Sequence, residues 1–447
     1  MTQKIQTKKE KIRKSLKYSI LDGTFYSMMV GFGESFFSAF AVFLKATNFH
    51  LGLLGSLPQA LGSLSELLSN KLIKIFNSRK KAVCFFAFVE GLLYIPIALV
   101  FFLGTLKIGY LIFFVCLYWV FGMVLGPAWN SWMGDLVAEK ERGTYFGKRN
   151  KITGFASFIS LLLGGYILQQ FGGSPTKQYI GFIVIFSLAF IARIFSFSYL
   201  LRQYEPKYTL ALEAEFSFID FIKQARFRNF GLFVIYLCFT NLTVYLSAPF
   251  FTAYMLYDLR LDYMTFTIVN ATAVIIKLIS MPSWGRASDR FGTKRILGLS
   301  AVLVSFVPLF WFFARDITYL IIIQIYGGFV SAGFEIASFN FIFDATSSQK
   351  RALCVAYYNV LNGFAIVIGA ILGSLIVKYN TLFWSKYLLV FLVSFIFRYL
   401  ISVIFIPKLR EVRQVEQVPY RKIFFNLISE MPTMGIVHKL VTFKKKR

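Results

Sequence analysis

The residues placed to do chemistry in this chain are charged side chains within long apolar stretches: Glu34, Glu66, Glu90, Arg193, Lys277, Glu335 and Arg398. A charge at the centre of a bilayer costs at least ~2.5–3.5 kcal/mol on insertion scales, so each such residue needs a purpose. A carboxyl in that setting can carry a proton, bind a solute or hold helices together. Glu34 is the sharpest case. It lies far from either end of its stretch, in Gly31-Phe-Gly-Glu34-Ser35, where the glycines allow close helix contact or entry of water. It is a candidate proton or substrate site. Glu66, Lys277 and Glu335 each stand about 12–15 Å from one end of their stretch, taking ~1.5 Å per residue. Equal depth allows Lys277 to pair with Glu335 or with Glu66. Arg193 and Arg398 read as snorkelling cations, and Glu90 has no evident partner. Among neutral residues, Asn130 and Asn241 are candidates for solute contact, alongside Gln59, Asn270, Asn340, Asn359 and Asn362. Each of these could equally join helices by hydrogen bonds.

Other chemistries are excluded. Cys84, Cys116, Cys238 and Cys354 all lie in apolar stretches and none forms a C-x-x-C pair, so neither a disulfide framework nor a zinc site is expected. Two histidines, His50 and His438, cannot build a multi-histidine metal centre. No P-loop is present, which argues against ATP hydrolysis. No cofactor is expected. A net charge of +27 would suggest nucleic acid in a soluble protein, but here the cations fall in short segments between apolar blocks, where topology and anionic lipid explain them.

The elements that hold these residues are membrane spans. The chain has 447 residues, 57% of them hydrophobic, concentrated in blocks of the ~20-residue length a helix needs to cross the hydrocarbon. The blocks lie at 18–44, 51–75, 80–103, 108–134, 150–170, 178–201, 229–256, 263–285, 293–313, 317–344, 351–377 and 383–406. Continuous rather than alternating apolar runs exclude a β-barrel. The first block is too long for a signal-peptide core and reads as a retained helix. Of the 48 Lys and Arg, 38 fall on one side of this arrangement and seven on the other, which predicts that both termini are cytoplasmic. The fold class is therefore an all-α polytopic membrane protein with twelve transmembrane helices.

The polar segment 202–228 divides the chain six plus six, and the halves repeat each other. Asp135-x6-Arg142 recurs as Asp344-x6-Arg351. Gly154-Phe-Ala and Gly164 recur as Gly363-Phe-Ala and Gly373. Phe76-Asn-Ser-Arg-Lys80 matches Phe291-Gly-Thr-Lys-Arg295, with Asn77, the next-best residue for a left-handed turn, in the place of Gly292. The predicted organisation is a bundle over 1–201 with a basic N-tail, a cytoplasmic linker over 202–228, a second bundle over 229–406, and a basic tail over 407–447. Segments 218–222 and 423–431 carry apolar stripes suited to helices lying on the inner leaflet, and Lys444-Lys-Lys-Arg447 suits anionic lipid.

The loop after the eighth span reads Gly285-Arg-Ala-Ser-Asp289-Arg290-Phe-Gly292-Thr-Lys294-Arg295. It resembles the cytoplasmic signature of the major facilitator superfamily, G-x-x-x-D-R-x-G-x-[RK]-[RK]. Physically, Gly285 would let a helix end pack closely, Asp289 could pair with a cation or cap the next helix, and Gly292 permits a tight turn. The resemblance implies a bacterial secondary transporter of two pseudo-repeat bundles that moves a small solute by alternating access, with a proton or other coupling ion. It implies that this loop, with Asp135, Arg142, Asp344 and Arg351, acts as a charge clamp on the cytoplasmic ends, and that spans 1, 4, 7 and 10 line the cavity, which puts Glu34 on a cavity-lining span. The first-half loop departs from the pattern, with Asn70, Lys74 and Ile75 at specified positions, so its clamp is expected to be absent or differently built. Span 5 lacks the proline of drug/proton antiporters, which counts against that activity. The expected partners are the solute, the coupling ion and inner-leaflet anionic lipid, in a monomer of the plasma or inner membrane. A membrane-embedded transferase and a transporter-like sensor are the alternatives. The former lacks a polar catalytic cluster.

Overall fold

The computed structural model describes residues 2–138, 142–206, 218–225, 227–346 and 348–412, with the side chains of 2–8, 70, 142–144, 220, 224 and 348–353 outside that description. Among the described residues, eleven helices are long and apolar enough to cross a membrane. They are Lys9–Phe43 (span 1), Arg79–Phe102 (span 3), Gly104–Leu136 (span 4), Tyr145–Gln170 (span 5), Pro175–Leu201 (span 6), Asn229–Asp258 (span 7), Tyr263–Phe291 (span 8), Thr293–Phe313 (span 9), Ile317–Ala345 (span 10), Cys354–Tyr379 (span 11) and Leu388–Lys408 (span 12). Helices satisfy every backbone group within the segment, which the hydrocarbon core demands. Span 2 is assembled from the helix Asn48–Ser65, a 3-10 turn at Glu66–Leu68 and the helix Ser69–Phe76. It carries Gln59, Glu66 and many serines and glycines, so it is the least apolar of the twelve.

Local chemistry sets the breaks. Span 1 interrupts at Gly33, and a 3-10 turn at Glu34–Phe36 follows. The loops after spans 2 and 8 both turn through positive φ, Asn77 at +50° and Gly292 at +95°. Span 8 is started by Asp262, whose Oδ1 accepts from the N–H groups of Met264 and Thr265, both at 3.0 Å, and whose Oδ2 accepts from Thr265 Oγ1 at 2.7 Å. Partial burial opposes ionisation, but these hydrogen bonds outweigh it and hold the carboxyl below its ordinary range. A depressed folded-state value means that the cap contributes fully above the unfolded value, ~3.9, and is lost as pH falls through the lower folded one. Asp262→Ala is expected to cost about 0.5–2 kcal/mol at pH 7. Its melting-point deficit against the parent should narrow as the medium is acidified below pH 4, a comparison made by thermal melting.

The chain forms two compact units. One comprises Met1–Leu212, Tyr245–Ala271 and Asn359–Tyr387. In it span 1 packs along spans 5 and 6, and span 2 along span 4. The other comprises Glu213–Val244, Thr272–Tyr358 and Leu388–Arg447, in which span 9 packs along spans 10 and 12. In this second unit the short helix Phe218–Ala225 seats Phe221 against Phe230 and Tyr357 while Ile219 and Ile222 stay exposed. The tail over 423–431 and Lys444–Arg447 lie outside the described residues.

Two readings of the sequence need correction. Arg193 and Arg398 do not snorkel: both are buried. Arg193 pairs with Glu90, the carboxylate that had no evident partner. Arg398 Nη2 donates to the carbonyl of Val244 at 3.2 Å. A guanidinium has five donors, and fixed acceptors inside the bundle take up part of that set, which costs less than burying the cation with none. At Gly285 no described atom lies within 4 Å of where a Cβ would stand.

Candidate functional site

The basic-loop ends of both halves are built alike. In the first, the fully buried Arg79 donates from Nη1 to Asp135 Oδ2 at 2.7 Å and to Ser131 Oγ at 3.0 Å. Glu205, just beyond span 6, accepts from Ser78 Oγ at 2.6 Å and from the N–H groups of Arg79 at 2.8 Å and Lys80 at 3.2 Å. It thereby satisfies donors that a helix start leaves open. In the second half, Thr293 Oγ1 donates to Asp344 Oδ2 at 2.7 Å, and Glu411, just beyond span 12, accepts from the N–H of Lys294 at 2.9 Å. The first half differs in its cation, which is Arg79, at the repeat position of Lys294. Glu411 meets the start of the following helix at the N–H of Lys294. Arg290 lies over the ring of Phe291 at 5.1 Å. The side chains of Arg142 and Arg351 lie outside the described residues. Glu205 and Glu411 were missed from sequence because each is one of several acids in a polar segment, beside Glu213, Glu215 and Asp220 in the first and Glu416 and Glu430 in the second. The signal was their matching place, four and three residues past the ends of spans 6 and 12.

Deeper in the first unit is a chain of charges. Glu90 pairs with Arg193, whose Nη1 donates to Ser196 Oγ at 2.9 Å, and Ser196 Oγ donates to Asp22 Oδ1 at 2.7 Å. Asp22 Oδ2 stands 3.9 Å from Arg149 Nη2. The Arg149 guanidinium lies over the ring of Trp129 at 4.5 Å, and its Nε donates to the carbonyl of Ser19 at 3.2 Å. Glycines make the room. A Cβ at Gly23 would stand 2.5 Å from Arg149 Nη2, one at Gly91 2.9 Å from Arg193 Cγ, and one at Gly122 2.8 Å from Glu90 Oε1. A cleft of about 220 Å³ opens on this network, lined by Asp22, Tyr26, Trp129, Asn130, Arg149 and Arg193 among others.

Glu34 accepts from Tyr118 Oη at 3.0 Å. Its flanking glycines serve close packing: a Cβ at Gly31 would stand 2.6 Å from the carbonyl of Ser157, and one at Gly33 would collide with the Tyr94 hydroxyl. Glu66 accepts from Asn359 Nδ2 at 2.7 Å, and Gln59 Oε1 accepts from Tyr245 Oη. Both contacts belong to a seam in the first unit along which span 2 meets spans 7 and 11. A Cβ at Gly55 would meet Pro249 Cγ at 3.0 Å, and one at Gly363 would stand 3.5 Å from Ala60 Cβ. At the end of the seam remote from the basic loops, Tyr387 Oη donates to Asn48 Oδ1 at 2.9 Å, and nearby Tyr257 Oη donates to the carbonyl of Val42 at 3.0 Å.

In the second unit Lys277 Nζ stands 3.1 Å from Glu335 Oε2, with side chains 35% and 55% exposed. An ion pair this open, this far along two membrane helices, belongs in water rather than lipid. Asn241 Nδ2 donates to Tyr358 Oη at 3.3 Å, and Asn340 to Ser288 Oγ at 3.2 Å. The described residues hold no cluster of three or more metal-ligating side chains.

The sequence matches the family model described as Major Facilitator Superfamily over residues 23–251 and again over 230–435. No curated protein matches it in sequence. The fold is similar to that of the D-xylose–proton symporter, with a TM-score of 0.70 at 13% identity, covering 91% of this chain and 99% of that one. It is similar to the nucleoside transporter NupG, with a TM-score of 0.64 at 13% identity over 89% and 98% of the two chains. A bacterial homologue of the iron transporter ferroportin, in its inward-facing state, gives 0.64 at 14% identity over 89% and 98%. At these identities the likeness is one of fold.

Proposed function

This chain belongs to the major facilitator superfamily and is a multi-pass secondary transporter working by alternating access, and we propose that it moves a small solute coupled to protons, with Glu34 as the exchangeable carboxyl. The observation that carries this reading is the seam along span 2. Polar pairs and small residues, Glu66 with Asn359, Gln59 with Tyr245 and Ala60 against Gly363, join span 2 to spans 7 and 11. A seam of single hydrogen bonds, each worth about 0.5–1.5 kcal/mol net, can part and re-form within a transport cycle. The Lys277–Glu335 pair supports a water-lined path. Asp135 with Arg79 in the first unit, and Asp344 with Thr293 and the loop Asp289–Arg295 in the second, are the gating residues of their own halves. The excess of cations there supports cytoplasmic termini, an inner or plasma membrane, and contact with anionic lipid.

Solutes that raise the melting point of the purified protein identify binders. In liposomes loaded with a pH indicator, such a solute should drive a pH change through the parent protein. Glu34→Gln is expected to abolish that change while leaving the melting point and solute binding in place. Proton flux equal to the parent's would remove Glu34 from the mechanism.

A further inference from the structure

The charge chain of the first unit is unevenly satisfied. Arg193 has a close carboxylate and a hydroxyl; Arg149 does not. Its nearest carboxylate is beyond hydrogen-bond length at 3.9 Å, and its Nη1 has no hydrogen-bond partner among the described residues. The guanidinium lies over the ring of Trp129 at 4.5 Å, and a guanidinium suits a planar or tetrahedral anion. Arg149 is 15% exposed and Asp22 behind it 5%, so an incoming group meets the arginine first. Gly23 gives the guanidinium its space, and Asn130 adds an exposed amide at the same cleft.

Asp22 can release Arg149 without being stranded. It keeps the Ser196 hydrogen bond at 2.7 Å, and through Ser196 remains joined to Arg193. The titratable groups around it are Arg149 and Tyr145 from span 5, Arg193 from span 6, Glu90 and Cys84 from span 3, and Tyr26 on its own helix. Two arginines face two carboxylates, so the cleft is balanced when empty.

We propose that this cleft is an anion-recognition subsite, in which a carboxylate or phosphate of the transported solute takes the place of Asp22 on the Arg149 guanidinium. The cleft volume, about 220 Å³, is below the ~300–1,000 Å³ of drug-sized pockets and suits a small metabolite anion. For a monoanionic solute, one proton on Glu34 would keep the loaded protein's charge unchanged. The inference rests on the transport reading and names the class of its solute.

Binding is the test, because it is independent of transport. The intact protein in nanodiscs of neutral phosphatidylcholine is titrated with succinate and with inorganic phosphate, and the rise in melting point gives an apparent dissociation constant. The parent is expected to respond saturably to at least one probe. Asp22→Asn, which removes the resident competitor, should bind that probe at least about tenfold more tightly, and Arg149→Lys at least about tenfold more weakly. The double variant Asp22→Asn/Arg149→Gln leaves no unpaired charge, guards against a folding defect, and should fold yet not respond. Loss of the parent's response in discs of anionic phosphatidylglycerol would assign the site to a lipid headgroup and overturn the solute proposal. No response to either probe in neutral discs, or an Asp22→Asn affinity no greater than the parent's, would overturn it while leaving transport of a neutral solute open.

Discussion

Oxidation of the double variant Ala60→Cys/Gly363→Cys is expected to stop solute transport, and reduction to restore it. The two β-carbons would stand 3.5 Å apart, within the ~3.5–4.5 Å span of disulfides. Both positions lie on helices rather than on loops, so cross-linking reports a packed contact and not a chance encounter. None of the four native cysteines forms a disulfide, three are buried, and none lies at this contact. If spans 2 and 11 separate in every cycle, one covalent bond arrests the protein in a single state and the rate falls to background. If the contact is static packing, the oxidised protein transports like the reduced one, and the seam is no gate. Solute binding to the oxidised form, followed by thermal shift, distinguishes an arrested transporter from a damaged one.

Removal of the Glu90 carboxylate is expected to be among the most destabilising single changes in the chain. Glu90→Ala leaves Arg193 in the bundle interior with Ser196 as its remaining close partner. Breaking one side of a buried pair costs about 3–5 kcal/mol, because the surviving charge keeps its desolvation penalty. The melting point in detergent should fall by several degrees. The double variant Glu90→Leu/Arg193→Met removes both charges at similar volume and should recover most of that loss. The recovery separates an electrostatic cause from a cavity. A double variant no more stable than Glu90→Ala would show that packing, not the stranded cation, sets the cost.

The spans, the repeat and the basic-end signature are legible in sequence because each depends on spacing along the chain. Length of an apolar block sets a crossing, and cation counts set a side. The charge network was not legible, because pairing inside a bundle depends on azimuth, and twelve helices can be rotated in many ways at the same depth. Glu90 and Arg193 are 103 residues apart. Arg149 reads as one more topogenic cation near a loop, and only its seat on Trp129 sets it apart. One local signal did exist. Gly23 follows Asp22 and Gly91 follows Glu90, and a glycine beside an intramembrane carboxylate marks a place where another side chain must come close. The same logic holds for Gly31 and Gly33 around Glu34.

Span 2 has a history as well as a place. The residues that give it a partable seam, Gln59, Glu66 and its serines and glycines, also make it the segment least able to leave a translocon for lipid unaided. During synthesis it must wait for a neighbour, and span 4, its long packing partner, emerges only after the third crossing has been made. A helix adapted to let go late in life is therefore one that has to be held early.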